Sequence, residues 1–209
     1  MLSISDIIDL PSQVLQIACE NTAKNVIDHF LKEYPSVTEI YNCSISGHRQ
    51  TIKRAVISLG LNPQEIGNLN QFLDEYLLDM EKDCNIKHNF GICSQKALRT
   101  IFLQKTHIII ELVNSVISQS MAGNTSFNFI VKLHSIPQKL ISQGTIYWLR
   151  GIVCFTPPQS PHGIKDIGHY KAICLRPDEK WELYDDLKDS KIDISNQRQF
   201  NCEMLVYTI

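Results

Sequence analysis

The sequence predicts a single domain of the α+β class, and three observations support this. Apolar residues recur at helical spacing in only two stretches, residues 10–31 and 68–80. From Arg99 onward, short runs rich in β-branched and aromatic residues are separated by turns with Pro, Gly, Asn or charged residues. A chain of 209 residues is also long enough to bury one proper hydrophobic core. We therefore expect helices early in the chain and a sheet after them.

Each element follows from its local pattern. Val14, Leu15, Ala18, Val26 and Ile27 lie at mostly helical spacing, which predicts one or two helices before the first long turn. Runs such as TIKRAVISL then alternate loosely, as strands do. The segment NLNQFLDEYLLDM returns to helical spacing with one apolar face. The strands predicted after it are TIFLQKTHIIIELV, FNFIVKL, TIYWLRGIVCF, HYKAICL, KWELYD and CEMLVYTI.

Composition excludes several classes of protein. Lys and Arg total 20 against 22 for Asp and Glu, so the net charge of -2 gives no signature of nucleic-acid binding. The apolar runs are much shorter than the ~20 residues of a membrane span, and MLSISDIIDL lacks the pattern of a secretion signal. Seven irregularly spaced cysteines favour reduced thiols, metal ligands or a nucleophile over a disulfide framework. We expect an intracellular protein that is cytoplasmic, nuclear or both. The sequence does not predict its oligomeric state.

The stretch GHYKAICLRPDEKWELYDD predicts a hairpin with a histidine at one end and two aspartates at the other. If Leu175 pairs with Trp181 across the turn, His169 and Asp185 become diagonal neighbours on one face. Asp186 then points to the other face, and a slip of one residue exchanges the two aspartates. An imidazole beside a carboxylate suits a general base, but it is also an ordinary polar contact across a hairpin. The residues alone leave both interpretations open.

The hairpin resembles the C-terminal box of the ubiquitin-specific peptidases, which are papain-like cysteine deubiquitinases. That box reads Gly-His-Tyr, a strand, a turn, and then Trp-x-x-Phe/Tyr-Asp-Asp. Upstream, SIPQKLISQGTIYWLRGIVCF and RTIFLQKTHIIIEL resemble two palm segments of the family, and NLNQFLDEYLLDM resembles the helix before the second finger cysteines. CENTAKNVIDHFLKEYPSVTEIYNCS is a looser match to the thumb helix that leads into the fingers. The motifs occur in the family's order and cover residues 20–209, and an ordered set is more specific than any one motif.

The resemblance implies one domain over residues 1–209 with a partial papain-like peptidase fold. Its parts are thumb-like helices in 1–40, a fingers-like region in 41–98 and an antiparallel, β-rich palm with the His/Asp box in 99–209. The partner it implies is ubiquitin or a ubiquitin-like modifier, with neither nucleic acid nor membrane expected as a partner.

The resemblance also assigns roles to individual residues. His169 matches the general base of the family, and Asp185 matches the residue that orients it. Asp186 matches the next carboxylate, which supports the site. The loop 156–168 corresponds to one that borders the channel for the ubiquitin tail.

The nucleophile is where the chain departs from the family. The family's cysteine lies in a box that reads Gly-x-x-Asn-x-Gly-Asn-Thr-Cys-Tyr/Phe-x-Asn, and no stretch of this chain reads that way. Cys19 is the N-terminal candidate, but it lies too close to Cys43 to match the box, and we interpret it as a packed helix residue. A His–Asp pair without a nucleophile can activate nothing.

Three functions stay open from the sequence. The first is a deubiquitinase-like cysteine peptidase, inactive as a chain on its own because the cysteine box is missing. The second is a non-catalytic pseudoenzyme that binds ubiquitin or a ubiquitin-like modifier. The third is an α+β interaction module whose His–Asp contact is accidental. Whether the chain is an enzyme is therefore undecided by sequence.

A zinc site is also raised by the resemblance. The family's fingers often bind zinc through two Cys-x-x-Cys pairs, in a tetrahedral site that a small hairpin could not stabilise by packing. The corresponding places here hold Cys43, His48, Cys84 and Cys93, which could surround a zinc ion. Because their spacings are irregular, the sequence favours a degenerate site without metal and a chain that requires no cofactor.

Overall fold

The computed structural model describes most of the chain, in residues 7–9, 15–17, 22–45, 47–88, 91–115, 129–156 and 168–209. Over these ranges strands predominate and helices are few. No helix within them is long and apolar enough to cross a membrane.

The helices and strands follow the order expected from the sequence for most of the chain. They are β1 (Ile7–Asp9), β2 (Leu15–Ile17), α1 (Ala23–Phe30), β3 (Val37–Cys43), β4 (Arg49–Arg54), β5 (Val56–Leu61), α2 (Leu69–Leu77), β6 (Met80–Asp83), β7 (Lys87–His88), β8 (Gly91–Ile92), β9 (Lys96–Leu103), β10 (His107–Asn114), β11 (Ile130–Lys132), β12 (Lys139–Ser142), β13 (Thr145–Thr156), β14 (His169–Leu175), β15 (Trp181–Tyr184), β16 (Ile192–Asp193) and β17 (Gln199–Thr208). Short 3-10 helices at Pro63–Asn68 and Leu133–Ser135 precede α2 and β12.

The described residues form two large sheets and two two-stranded sheets, β1–β2 and β7–β8. The larger is nine-stranded, in the order β16-β15-β14-β13-β17-β10-β5, with β11 paired to β17 and β12 to β13. Its ladders are antiparallel except that between β10 and β5, which is parallel. The smaller sheet has the order β4-β3-β9-β6. The hairpin that carries His169 lies at one edge region of the larger sheet.

Helix α2 joins the two sheets. Leu69 and Leu73 are fully buried in the main hydrophobic core. The same core contains the inward-facing side chains of the larger sheet. The polar side of α2 binds β12, since Asn70 Oδ1 accepts a hydrogen bond from the backbone N–H of Ile141 at 2.7 Å. The helix predicted over 68–80 is therefore confirmed for its central part.

Helix α1 covers the opposite face of the larger sheet. It begins after Thr22, whose Oγ1 accepts a hydrogen bond from the backbone of Asn25 as an N-cap. Asp28 Oδ1 accepts from the backbone N–H groups of Ala55 and Val56 at 3.2 and 3.1 Å. The cap stabilises the first turn of α1, and the contacts of Asp28 hold the second half of the helix to the start of β5.

The N-terminal helix prediction was too long. Among the described residues of 10–31, those from 23 to 30 form an α-helix, and 15–17 instead form β2, paired with β1. Residues 10–14 and 18–21 lie outside the described residues. Tertiary pairing of two short strands overrides the helical spacing of apolar residues, which is a weak signal over so few turns.

A buried ion-pair network lies where α2 meets the smaller sheet. Glu39 and Arg99 are both buried, and Arg99 Nη2 donates to Glu39 Oε1 at 3.1 Å. Tyr76 of α2 and Arg54 of β4 donate to the same oxygen, while Tyr41 donates to Oε2. Burial alone would raise the pKa of Glu39, but the hydrogen bonds from these four residues outweigh it and lower the pKa to about 2. Glu39 is therefore ionised wherever the chain is folded near neutral pH.

Acid should weaken this network. A carboxylate with a lowered pKa contributes stability that is fully present above its unfolded pKa of ~4.3 and is lost as the pH falls toward 2. We expect the difference in unfolding free energy between the wild type and Glu39→Gln to shrink over that window. Urea unfolding of both proteins at a series of pH values measures it. A difference that stays constant between about pH 5 and the acid limit of folding would contradict the expectation.

Candidate functional site

The hairpin β14–β15 forms in the register expected from the sequence. Leu175 pairs with Trp181, and the ladder continues to the pair of Ala172 with Tyr184, the last residue of β15. Asp185 follows directly after β15, and its Oδ1 lies 2.7 Å from Nε2 of His169. The structure therefore brings together the two residues that the register and the resemblance had paired.

The surroundings of Asp185 keep it charged. Only 4 % of its side chain is exposed, and its oxygens accept from His169 Nε2, the backbone N–H of Leu187 and Lys171 Nζ. The hydrogen bond from His169, with further ones from Lys171 and Leu187, outweighs burial and lowers the pKa of Asp185 to about 2. Asp186 is 84 % exposed, with Oδ1 3.4 Å from the same imidazole nitrogen, so it lies at the rim of the site.

The orientation of the imidazole follows from this contact. An ionised carboxylate can only accept, so Nε2 of His169 carries the proton of the bond to Asp185. In the neutral ring, Nδ1 is then the basic nitrogen. No hydrogen bond from the described part of the chain reaches Nδ1. The contact with Asp185 therefore fixes the orientation of the ring and leaves Nδ1 as the nitrogen that can accept a proton.

A cleft of about 480 Å³ lies beside this pair. It has apolar and aromatic walls and an acidic rim, formed by Val153, Tyr170, Lys171, Ala172, Tyr184, Asp185 and Asp186. Of the loop expected to border such a channel, residues 157–167 lie outside the described residues.

Gly168 is required by the packing next to the site. A Cβ at this position would lie 2.3 Å from Cζ of Phe155, whose ring packs on Tyr170 at 4.9 Å between centroids. Any larger residue would have to displace Phe155, and this accounts for the glycine before His169 in physical terms.

The N-terminus of α1 reaches the same strand. The backbone N–H of Ala23, the first helical residue, donates to the hydroxyl of Tyr170 at 3.3 Å, and Tyr170 is the neighbour of His169. Residues 21–23 read Asn-Thr-Ala, where the peptidase box reads Asn-Thr-Cys. Asn-Thr ahead of a helix start is the sequence signal for this position, and a pattern that requires a cysteine does not detect it.

No described cysteine supplies the missing thiol to His169. Cys154 and Cys202 are buried in the sheet, and burial raises the pKa of Cys154 to about 12 and that of Cys202 well above its usual value. Burial also raises the pKa of the half-buried Cys174. Burial therefore disfavours the reactive thiolate form at all three positions. Cys19 lies outside the described residues.

The predicted metal ligands converge at the tip of the smaller sheet. Cys43 ends β3 and His48 lies in the turn to β4, while Cys84 follows β6 and Cys93 follows β8. Their four potential ligand atoms all lie within 4.8 Å of one another. Sγ of Cys43 is 3.9 Å from Sγ of Cys93, and Sγ of Cys84 is 3.9 Å from Nδ1 of His48.

This arrangement fits a structural zinc ion. Tetrahedral zinc with Zn–S bonds of ~2.3 Å holds two sulfurs ~3.8 Å apart, close to the Cys43–Cys93 separation. Three thiols and one imidazole are a common ligand set for such sites. The tip has little else to stabilise it, since its buried cluster consists of Cys84, Cys93 and Ala97.

The fold is similar to that of deubiquitinases of the ubiquitin-specific-peptidase type. Neither a protein-family model nor a curated protein matches the chain. Solved structures do. A chain of the yeast SAGA DUB module with a mutant Sgf73 is 19% identical, with a TM-score of 0.50 over 84% of this chain and 40% of that one.

Two other structures of SAGA DUB modules give similar values. The SAGA Ubp8/Sgf11/Sus1/Sgf73 DUB module bound to ubiquitin aldehyde is 18% identical over 83% of this chain and 40% of that chain, with a TM-score of 0.47. The Ubp8/Sgf11/Sus1/Sgf73 module is 17% identical over 84% and 38%, with a TM-score of 0.48. This chain therefore spans about 40% of the length of the chains it resembles. At such identity the likeness shows the fold alone.

Proposed function

We propose that this chain is a deubiquitinase-like protein of the ubiquitin pathway that binds ubiquitin or a ubiquitin-like modifier and does not cleave it by itself. The observation that carries the proposal is Ala23 at the N-terminus of α1, beside the strand that holds His169. On the match of Asn21-Thr22 to the Asn-Thr of the peptidase box, we align Ala23 with the cysteine of that box, so a methyl side chain would take the place of the nucleophile.

Hydrolysis by a thiol peptidase needs a thiolate that attacks the carbonyl and forms a covalent intermediate. His169 and Asp185 are arranged to accept a proton from such a group, but alanine offers none. The dyad can then position water or a bound tail, yet it cannot begin the reaction.

The helix amide next to the site is also occupied. Backbone N–H groups at a helix N-terminus can stabilise the oxyanion in acyl transfer. Here the N–H of Ala23 donates to the Tyr170 hydroxyl, which itself donates to Glu203 Oε1 at 3.3 Å. This second observation supports the absence of cleavage, because an N–H group that donates within the chain is less available to an oxyanion.

A second candidate is a peptidase completed by a thiol from another polypeptide. The preserved contact between His169 and Asp185 favours it, since a pure binding protein gains little from an oriented base. Under both candidates the isolated chain is predicted to be inactive. Turnover measured in the presence of the polypeptide that supplies the thiol separates them.

Binding to ubiquitin should be measurable but weak. The chain lacks much of the length of its structural neighbours, so we expect a Kd of roughly 10⁻⁵–10⁻³ M. Asp186→Lys, which places a long cation at the rim of the cleft, should weaken binding about fivefold or more. Chemical-shift titration of labelled ubiquitin measures both affinities.

Asp178→Lys is the matched control, because Asp178 is an exposed aspartate at the opposite end of the same hairpin. We expect it to bind like the wild type. Equal losses in the two variants, or no shift of any ubiquitin resonance at millimolar protein, would contradict a ubiquitin-binding role for the cleft.

We also propose that Cys43, His48, Cys84 and Cys93 bind one zinc ion, although the spacing alone favoured a site without metal. The convergence of all four ligand atoms supports this. Four protein ligands leave no coordination position for substrate, so the ion would fix the tip of the smaller sheet and take no part in chemistry.

A further inference from the structure

We propose that Cys43 and Cys93 form a peroxide-sensitive pair, whose oxidation to a disulfide expels the zinc ion. This inference rests on the proposed zinc site and adds a modification to it. Its basis is the unequal exposure of the ligands and the pairing of their sulfurs.

The four ligands differ in their access to solvent. Cys84 and Cys93 are 3 % and 5 % exposed, whereas Cys43 and His48 are only half-buried. A small oxidant that approaches the tip therefore meets the sulfur of Cys43 first. Oxidation at zinc-bound thiolates follows access in this way, because the thiolate is the reactive form.

A resolving thiol is already in place. Sγ of Cys93 lies 3.9 Å from Sγ of Cys43, and a disulfide requires the two sulfurs to approach to ~2.05 Å. Cys43 is held in the ladder of β3 with β9, opposite Ala97. Cys93 lies between β8 and β9, outside any ladder, so rotation of its side chain can close the gap without breaking the sheet.

The chemistry balances with hydrogen peroxide as the oxidant. The Cys43 thiolate attacks peroxide, so an S–O bond forms, the O–O bond breaks, and hydroxide leaves. The Cys93 thiolate then attacks the sulfenic sulfur of Cys43, forming the S–S bond as a second hydroxide leaves. Two thiolates are oxidised by two electrons and one peroxide is reduced to two hydroxides.

Zinc is lost as a consequence. A disulfide sulfur is a poor ligand, so only Cys84 and His48 would continue to hold the ion. The segment around Cys84 would then be released from the tip, while β3 and the segment before β9 would be covalently joined. A thiol reductant reverses the cross-link and restores the site.

The test uses the full chain in its zinc-loaded form. Zinc content is measured first by elemental analysis, and zinc release under hydrogen peroxide is then followed with a chromophoric chelator. Peptide mass spectrometry of the oxidised protein identifies the cross-link. We expect loss of most of the zinc, a peptide pair joined through Cys43 and Cys93, and recovery of zinc binding after reduction.

Two variants sharpen the result. Cys174→Ser removes a half-buried thiol outside the cluster and should release zinc as the wild type does. Cys43→His keeps four potential ligands but cannot form the disulfide, so it should retain its zinc under peroxide.

The outcomes separate the two proposals. A wild-type protein that contains no zinc would contradict the zinc site and this inference with it. Zinc that stays bound under peroxide, or a principal cross-link between other cysteines, would overturn the inference and leave the zinc site standing. The cross-link in the wild-type protein decides the question even if Cys43→His does not fold.

Discussion

Glu39→Gln should lower the free energy of unfolding by about 3–5 kcal/mol, because it removes the charge that compensates a buried guanidinium. Arg99 is buried with Glu39, and its Nε already has no hydrogen-bond partner within the described residues. The neutral amide would leave Arg99 with no compensating charge, and the contact of Tyr76 with the same oxygen would weaken. Urea unfolding at neutral pH measures the change.

Asp178→Asn is the control for this prediction. Asp178 pairs with Lys180 at the surface, and both side chains are more than half exposed, so its loss should cost less than about 1 kcal/mol. Similar small costs for the two substitutions would show that the network of Glu39 does not hold α2 to the smaller sheet.

Cys84→Ser should abolish zinc binding and loosen the tip of the smaller sheet. Cys84 is the most buried of the four ligands, and the cluster around it has too few apolar residues to fold without a metal. We expect about one zinc ion per chain in the wild type and none in the variant. Chelation should lower the Tm of the wild type by ~5 °C or more, and that of the variant hardly at all.

Cys174→Ser provides the matched comparison. Cys174 is a partly buried thiol on β14, a strand of the larger sheet, whereas the zinc ligands lie at the tip of the smaller sheet. It should keep its zinc. Equal zinc contents in wild type, Cys84→Ser and Cys174→Ser, or no zinc in any of them, would rule out the proposed site.

Local patterns predicted the parts of the fold that depend on neighbours in sequence. The hairpin of His169 and Asp185 was placed in its correct register, because a charged turn and alternating strands on each side fix it locally. The helix around Leu69 and Leu73 was likewise marked by a regular apolar face.

Contacts between distant segments could not be predicted in the same way. The pairing of Leu15–Ile17 with Ile7–Asp9 interrupts a helical pattern through a partner that the pattern does not reveal. The parallel pairing of β5 with β10 joins strands that are separated in sequence by α2 and by β6 to β9, so no local pattern predicts it.

The two candidate sites show the same limit. Irregular spacing argued against a metal at Cys43 and Cys93, but the ligands come from separate segments that β3, β6 and β9 bring together. The position of Ala23 became meaningful only when α1 was found to begin there, beside Tyr170. Sequence spacing records order along the chain, and these sites depend on distance in space.

Turnover of ubiquitin that carries a fluorogenic group at its C-terminus tests most directly whether this chain is a non-cleaving relative of the deubiquitinase fold. We predict that the wild-type chain releases no fluorophore above the uncatalysed rate, and that His169→Ala behaves identically, because Ala23 offers no nucleophile to the dyad. Release by the wild type that His169→Ala abolishes would contradict this, and would show that a thiol of this chain reaches His169 after all.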